Sequence, residues 1–343
     1  MGERVLVTGG AGFIGSNFVH RLLAGRPDTH VVVLDALTYA GRRENLEGIP
    51  ESRLTFVHGD IRDPRRVAEA MQGCTAVLNF AAESHVDRSI EAPGEFIQTD
   101  VYGVFVLCEE ARKLGVRRFL QVSTDEVYGE VLSGHATEDW ALNPRSPYAA
   151  SKAGGDRLAY AYWCTYGLPV VVTRCSNNYG PRQYPEKLVP LFVMNAIDGE
   201  PLPVYGNGRN TRDWLHVDDH CDALLLLLDF PGIEGETFNI GARNELDVLA
   251  ITGTLLGLLG KPQSLVRFVE DRPGHDRRYA VDSSKLTRVT GWQPRIAFAD
   301  GIRQTVEWYR AHESWWRTIK NGEFRLYYER MYRKRLELSG TGA

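Results

Sequence analysis

The first 35 residues constrain the fold more than any other stretch of the chain. An apolar run over residues 5–8 reads as a buried strand, and Gly9-Gly10-Ala11-Gly12-Phe13-Ile14-Gly15 follows it without a spacer. Glycines at Gly9, Gly12 and Gly15 permit a tight turn, close approach of the backbone to a pyrophosphate, and close packing of the next helix on the strand. That helix carries Phe18, Val19, Leu22 and Leu23 and would aim its N-terminal amides at the phosphates. A second strand over residues 30–34 ends at Asp35, twenty residues after Gly15. A carboxylate there accepts hydrogen bonds from adenosine ribose hydroxyls and repels a 2′-phosphate, so the pattern predicts a site for NAD in preference to NADP. A glycine triplet alone is common; strand, glycines, helix, strand and terminal acid in this order are not.

The alternation continues, with strands expected over residues 54–57, 76–80, 119–122 and 170–174 and helical segments between them. This predicts an α/β chain with a Rossmann-type doubly wound parallel sheet. Past residue 180 the texture changes, as Pro181, Pro185, Pro190, Pro201 and Pro203 fall close together among basic residues. Residues 1–180, with a return segment at 213–240, are therefore expected to form the NAD-binding domain. Residues 181–212 and 241–343 are expected to form a smaller C-terminal α/β lobe that faces the substrate.

The formal net charge of −4 argues against nucleic acid as a partner. The most apolar run, residues 224–228, is far too short to span a bilayer, and no charged leader with an apolar core opens the chain. Cys74, Cys108, Cys164, Cys175 and Cys221 are odd in number, dispersed and free of any C-x-x-C, so they read as small buried hydrophobes in a reducing compartment. A soluble, cytoplasmic protein with no metal site and no membrane partner is the expectation.

Chemistry concentrates where the fifth strand ends, at Ser123-Thr124-Asp125-Glu126-Val127-Tyr128-Gly129. Open α/β sheets place their reactions at such carboxyl ends. Short hydroxyls suit a turn, but a turn does not require two adjacent carboxylates. Their repulsion raises at least one pKa, which sets a proton donor beside a base. About twenty residues on, Tyr148 and Lys152 stand four apart at the start of a helical segment and share one face. An ammonium nearby favours phenolate, so Lys152 should lower the Tyr148 pKa and make it a base for a sugar hydroxyl. Such a pair is usually an exposed helical contact; after a nucleotide-binding half and a strand-end Ser-Thr it signifies more.

Other residues carry plainer readings. His85, after the fourth strand, is expected to be a structural hydrogen-bonder. Lys187, Arg212, Arg272, Arg277 and Arg278 are each ordinary surface charges taken singly, but a diphosphate needs two or three cations to converge. The segment 95–114 and the helix after Tyr148 are apolar on more than one face, through Phe105 and Tyr160 among others. A homodimer joined as a four-helix bundle is expected from them, against a well-buried monomer. The tail over residues 315–335 is expected to be a peripheral helix.

With these residues in view the chain resembles the dTDP-glucose 4,6-dehydratases, extended short-chain dehydrogenase/reductases that act on nucleotide sugars. The resemblance runs to about residue 294 and rests on residues 9–15, 35–41, 81–89, 123–129, 148–152, Arg212-Asp213-Trp214 and residues 271–279. The Thr-Asp-Glu of residues 124–126 discriminates, since 4-epimerases of the superfamily lack that carboxylate pair. The resemblance implies catalytic roles for Thr124, Asp125, Glu126, Tyr148 and Lys152. It implies NAD contacts at Gly9, Gly12, Phe13, Ile14, Gly15, Asp35, Leu37 and Thr38. Further NAD contacts are implied at Asp60, Ile61, Phe80, Ala81, Ala82, Ser84, Thr99 and Asn178, besides Tyr148 and Lys152. Substrate contacts are implied at Ser84, Thr124, Asn177, Lys187, Leu188, Pro203, Tyr205, Arg212, Arg272, His275 and Tyr279. Asn244 is matched to a nucleotide contact in a loop, residues 241–245, that looks shorter than the family's. The implied reaction converts dTDP-glucose to its 4-keto-6-deoxy form for deoxysugar biosynthesis. No motif reads the methyl and 2′-hydroxyl that separate thymidine from uridine, so the base stays open at this stage. An epimerase or decarboxylase on the same scaffold is the nearest rival, and a non-catalytic NAD-binding regulator the more distant one.

Overall fold

The computed structural model describes residues 2–333 and Leu336. The strands among them are β1 (Arg4–Thr8), β2 (His30–Asp35), β3 (Leu54–His58), β4 (Ala76–Asn79), β5 (Arg118–Thr124) and β6 (Val170–Cys175), then β7 (Asn177–Tyr179), β8 (Leu202–Tyr205), β9 (Thr211–His216), β10 (Thr237–Ile240), β11 (Glu245–Asp247) and β12 (Val266–Val269). Seven of them form one sheet in the order β10-β6-β5-β4-β1-β2-β3, parallel throughout. Its central strands are buried on both faces, which is why they read as unbroken apolar runs.

The helices Phe13–Gly25 and Val217–Asp229 cover one face through Phe18, Leu22, Leu224 and Leu227. The helices Pro64–Met71, Val104–Leu114 and Pro147–Tyr166 cover the other through Val67, Leu107 and Ala159. Each such side chain contributes about 1.5–3 kcal/mol by leaving water. Three polar side chains inside this sheet satisfy one another. The Thr8 hydroxyl donates to Asn79 Oδ1 at 2.6 Å, and Asn79 Nδ2 donates to Gln121 Oε1 at 2.9 Å, which pins β1, β4 and β5 in register. Because β1 pairs with both β2 and β4, the topological switch lies there, and a crevice opens at its carboxyl end.

The second lobe holds a three-stranded sheet, β11-β9-β7, and the pair β12-β8. The helices Leu188–Asp198, Val248–Leu259 and Phe298–Ala311 pack round them through Phe192, Leu255, Val306 and Tyr309. Its loop at residues 241–245 is held by the Asp213 carboxylate, which accepts from the amides of Ala242 and Asn244 at 2.9 and 2.7 Å.

Three expectations are corrected here. The segment expected as one helix over residues 95–114 starts at Pro93 and is broken by a π turn, Gln98–Gly103, which turns the carboxylate of Asp100 inward. The tail is not peripheral. Its helices Glu313–Lys320 and Glu323–Tyr328 bury Trp316, Phe324 and Tyr327, and Tyr332 beyond them is buried too. Residues 334–335 and 337–343, the end of the expected second lobe, lie outside the described residues. Finally, four cysteines are buried but Cys164 is exposed, on the outward side of the helix Pro147–Tyr166. Among the described residues no helix is long and apolar enough to cross a membrane, and no group of three or more His, Cys, Asp or Glu could hold a metal ion.

Candidate active site

The carboxyl ends of β1 to β6 open on one cleft of about 300 Å³. Gly9 turns the chain there with φ +66°, and a Cβ on it would lie 2.7 Å from the Ala81 amide nitrogen. A Cβ on Gly15 would collide with the Gly9 carbonyl. The helix that follows begins at Gly12 with no side-chain cap and no acid in its first turn. Its unpaired first amides, at Phe13, Ile14 and Gly15, therefore face the cleft as an anion site. Asp35 closes β2, its carboxylate held by the amides of Ala11 and Leu37 at 2.8 Å each. Each oxygen keeps acceptor capacity for a hydroxyl. Burial raises the Asp35 pKa, against those two hydrogen bonds. Thr38, Asp60, Ile61, Phe80, Ala81 and Ala82 line the same cleft, with Ser84, Thr99 and Asn178. An anion cradle a Cβ would fill, beside a carboxylate aimed at hydroxyls, fits NAD.

β5 delivers Thr124 to this cleft, and a 3₁₀ turn, Asp125–Tyr128, follows at once. The Thr124 hydroxyl accepts from the Glu126 amide and donates to Asp125 Oδ1, both at 3.3 Å. Asp125 is buried, and its Oδ2 has no partner among the described residues. Burial first and the neighbouring Glu126 second push its pKa well above the usual carboxylate range. That favours a neutral carboxyl with a proton to give. Glu126 lines the cleft with its Oε2 3.3 Å from the Tyr279 hydroxyl, which also donates to Asp276 at 2.7 Å. The Arg212 guanidinium lies over the Tyr279 ring, 4.2 Å from its centre.

Tyr148 and Lys152 rise from the start of the helix Pro147–Tyr166, whose first turn is capped by the Ser146 hydroxyl accepting from the Ala149 amide at 3.1 Å. Both line the cleft. The expected lowering of the Tyr148 pKa is overturned. Burial pushes it well above the ordinary value, Glu126 and Asp100 add to the rise, and the Thr124 hydroxyl opposes it. The reason is local: a phenolate there would lie buried near two carboxylates, while Lys152 donates to the Val122 carbonyl at 2.8 Å.

A second cleft of about 170 Å³ adjoins the first and shares Ser84, Glu126, Asn177, Glu186 and Lys187 with it. Leu188, Pro203 and Tyr205 form an apolar wall, and Arg212, Arg272 and His275 bring polar groups. Arg272 stands 3.6 Å from Asp87, Arg212 donates to the Asp276 carbonyl at 2.9 Å, and Lys187 donates to the Ser84 carbonyl. Burial lowers the pKa of both Lys187 and Arg212, so a bound anion is what would repay their desolvation. Burial, then Arg272, pushes His275 down to about 4, and it is neutral at pH 7. His85 is pushed down to about 3 by burial and packs edge-on against the Tyr327 ring at 5.9 Å, in keeping with its structural reading.

Several expected residues sit elsewhere. Leu37 contributes through its backbone alone, at φ +48°. Tyr279 acts from behind Glu126 and outside both linings. Asn244 lines neither cleft; its backbone amide donates to Asp213, and its side-chain Nδ2 is buried without a partner among the described residues. Arg278 is committed to Glu245 and to the Val131 and Gly134 carbonyls, and Arg277 lines neither cleft. Sequence reasoning missed Glu186, which is buried at the seam and paired with Arg88 at 2.8 Å. It also missed Tyr332 of the tail, which lines the second cleft. Glu186 adjoins Lys187 and could have been found from that; nothing local marks Tyr332.

Residues 6–305 match the family model described as GDP-mannose 4,6 dehydratase. A dTDP-glucose 4,6-dehydratase of Actinoplanes sp. is 52% identical over 319 residues, covering 91% of this chain and 99% of the relative. The crystal structure of DesIV, a dTDP-glucose 4,6-dehydratase of Streptomyces venezuelae with NAD bound, is 53% identical, with a TM-score of 0.90 over 92% of this chain and all of that one. A UDP-glucose 4-epimerase of Thermus thermophilus, also with NAD, is 35% identical, with a TM-score of 0.84 over 90% of this chain and 99% of that one. The scaffold is thus common to both chemistries, and the side chains in the cleft must tell them apart.

Proposed function

The chain belongs to the dTDP-glucose 4,6-dehydratases, and on that footing we propose that it converts dTDP-glucose to dTDP-4-keto-6-deoxy-glucose for deoxysugar biosynthesis, as an NAD-dependent hydro-lyase. The observation that carries this reading is Asp125 beside Glu126 at the strand end that also faces Tyr148 and Lys152. Reversible oxidation at C4 alone, which suffices for an epimerase, needs no second acid and base.

NAD, when bound, would supply the acceptor for the C4 hydride and, once reduced, the donor that returns it to C6, leaving the cofactor as it began. Tyr148, once ionised, takes the proton of the 4-hydroxyl, and the Lys152 ammonium one turn along favours that form. Thr124 hydrogen-bonds the same oxygen. The new 4-ketone acidifies C5, and Glu126 removes that proton. Asp125, held neutral by burial and by Glu126, gives its proton to the departing 6-hydroxyl, and water leaves. One group must accept a proton while another donates one, and two carboxyls in unlike surroundings provide that pair. C5 is then reprotonated.

The first cleft's lining supports a cofactor part, residues 1–180 with 213–240, beside a nucleotide-sugar part, residues 181–212 and 241–343, with β7, β9 and residues 84–87 of the cofactor part reaching into the second lobe. Arg212, Arg272 and Lys187 would hold the diphosphate, and Tyr205 would stack on the base. Ile97, Tyr102, Phe105, Tyr160 and Tyr166 are exposed on neighbouring helical segments. They support a homodimer joined there as a four-helix bundle. Five unpaired thiols support a reducing compartment, the cytoplasm.

The test is turnover of dTDP-glucose and UDP-glucose in deuterated water, read by NMR. A 6-deoxy-4-keto product with deuterium at C5, formed faster from dTDP-glucose, is expected. A galactose product without that deuterium would mean an epimerase and strip Asp125 and Glu126 of their roles.

A further inference from the structure

One buried carboxylate has no part in the scheme above. Asp100, in the π turn Gln98–Gly103, is 2% exposed. Its Oδ2 accepts from the Ser151 hydroxyl at 2.7 Å, and its Oδ1 accepts from the Glu83 amide at 2.9 Å. Ser151 lies between Tyr148 and Lys152 on the catalytic helix, and Glu83 belongs to the loop that walls the cofactor cleft. The close approach is built into that helix by two glycines. A Cβ on Gly155 would collide with the Asp100 carbonyl, and one on Gly154 would come within 2.9 Å of Val101 Cγ2. Two glycines in a helix interior destabilise it against alanines, so close packing at this point offsets a real penalty.

A tether between loop and helix does not require charge; an amide of the same shape could make both hydrogen bonds. A buried charge, by contrast, acts on its neighbours at short range in a low dielectric. We propose that Asp100 is a positioning residue of the active site, whose carboxylate, clamped between Glu83 and Ser151, sets the balance between the Tyr148 phenol and the Lys152 ammonium and so fixes the pH at which the first oxidation switches on. The inference rests on Tyr148 being the base. Its charge disfavours the Tyr148 phenolate, whereas Lys152 favours the carboxylate. Burial pushes the Asp100 carboxyl up to about 6, so it exchanges its proton within the working range of such an enzyme. The other groups facing this site are Glu126 from the turn after β5, Glu83 from the cofactor loop, itself influenced by Arg88 and Glu186, and Cys175 from β6 beside Tyr148. Glu95, on the same helical segment, is occupied at the surface by Arg62 at 2.9 Å.

The experiment is the pH profile of single-turnover reduction of bound NAD by dTDP-glucose in Asp100→Asn. Removing the negative charge makes the phenolate easier to form, so the acid limb should move to lower pH by about one unit, a tenfold change in the ionisation constant. Ser151→Ala removes one hydrogen bond to the carboxylate and should move the acid limb the same way by less, which keeps the test open if Asp100→Asn folds poorly. A merely structural role would lower the rate and leave both limbs in place, and superimposable profiles for both variants would overturn the proposal. Tyr148→Phe separates the two failures. If it still reduces NAD at the parent rate, the assignment of the base is wrong; if it is inactive while the profiles superimpose, only the role of Asp100 is.

Discussion

The two clefts meet at Glu126 yet are built from different materials. The cofactor side is mostly backbone: glycines without room for a Cβ, a bare helix N-terminus, and one carboxylate fixed by two amides. The substrate side is made of long side chains from dispersed segments, with Arg212 buried against Asp276 and Lys187 and Arg272 half-buried against Ser84 and Asp87. Backbone recognition suits a ligand that stays, because rigid amides lose little entropy on binding. Side-chain recognition suits one that is exchanged at each turnover, since flexible cations can let go. A bound NAD that ends each cycle unchanged belongs on the first side.

The largest effect should appear at the seam. Glu126→Gln keeps the shape of both clefts but removes the base for C5. Product formation should fall roughly a thousandfold, while bound NAD is still reduced at C4. Undiminished formation of the 6-deoxy sugar would end the assignment of Glu126. On the backbone side, Gly15→Ala forces the loop off Gly9, and overpacking of this kind costs about 1–3 kcal/mol. Retention of NAD through purification should drop on the order of a hundredfold, melting temperature should fall by roughly a few degrees, and nucleotide-sugar binding should be little changed.

On the side-chain side, Arg212→Ala should raise the KM for dTDP-glucose roughly tenfold or more, the scale of a hydrogen bond to a charged group. NAD retention should be unaffected, and a loss of NAD in this variant would break the division between the clefts. Tyr332→Ala should raise KM a few-fold, on the order of 1 kcal/mol of packing lost. Asn244→Ala should leave KM within about twofold, as expected for a side chain that lines neither cleft. A large KM effect there would show that its unpartnered side-chain amide reaches the nucleotide.

The same contrast governs what could be read before any coordinates. The glycine loop, Asp35, Thr124 to Glu126, and the Tyr148 and Lys152 pair all lie at strand ends or on one helix turn. Local periodicity and spacing therefore place them, and the parallel sheet follows from the alternation that produced them. In the second lobe, Arg212 and Arg272 were found but Arg277 and Arg278 were drawn in with them. Choosing among neighbouring arginines depends on which one the fold gives another partner, and Glu245 takes Arg278.

By itself, then, the sequence determined the sheet, the cofactor it fits and the chemistry at the end of β5, because each is encoded within one strand, turn and helix. Only the tertiary structure decided the rest. It brought Tyr332 from the tail into the substrate cleft, placed Glu186 at the seam, and kept Asn244 out of both linings. It also reversed the expected direction at Tyr148, because a pKa depends on burial and on every charge within reach. An ammonium four residues along the helix is one neighbour among several. Burial and the two carboxylates that oppose it are set by how the helix, the π turn and β5 close on one another.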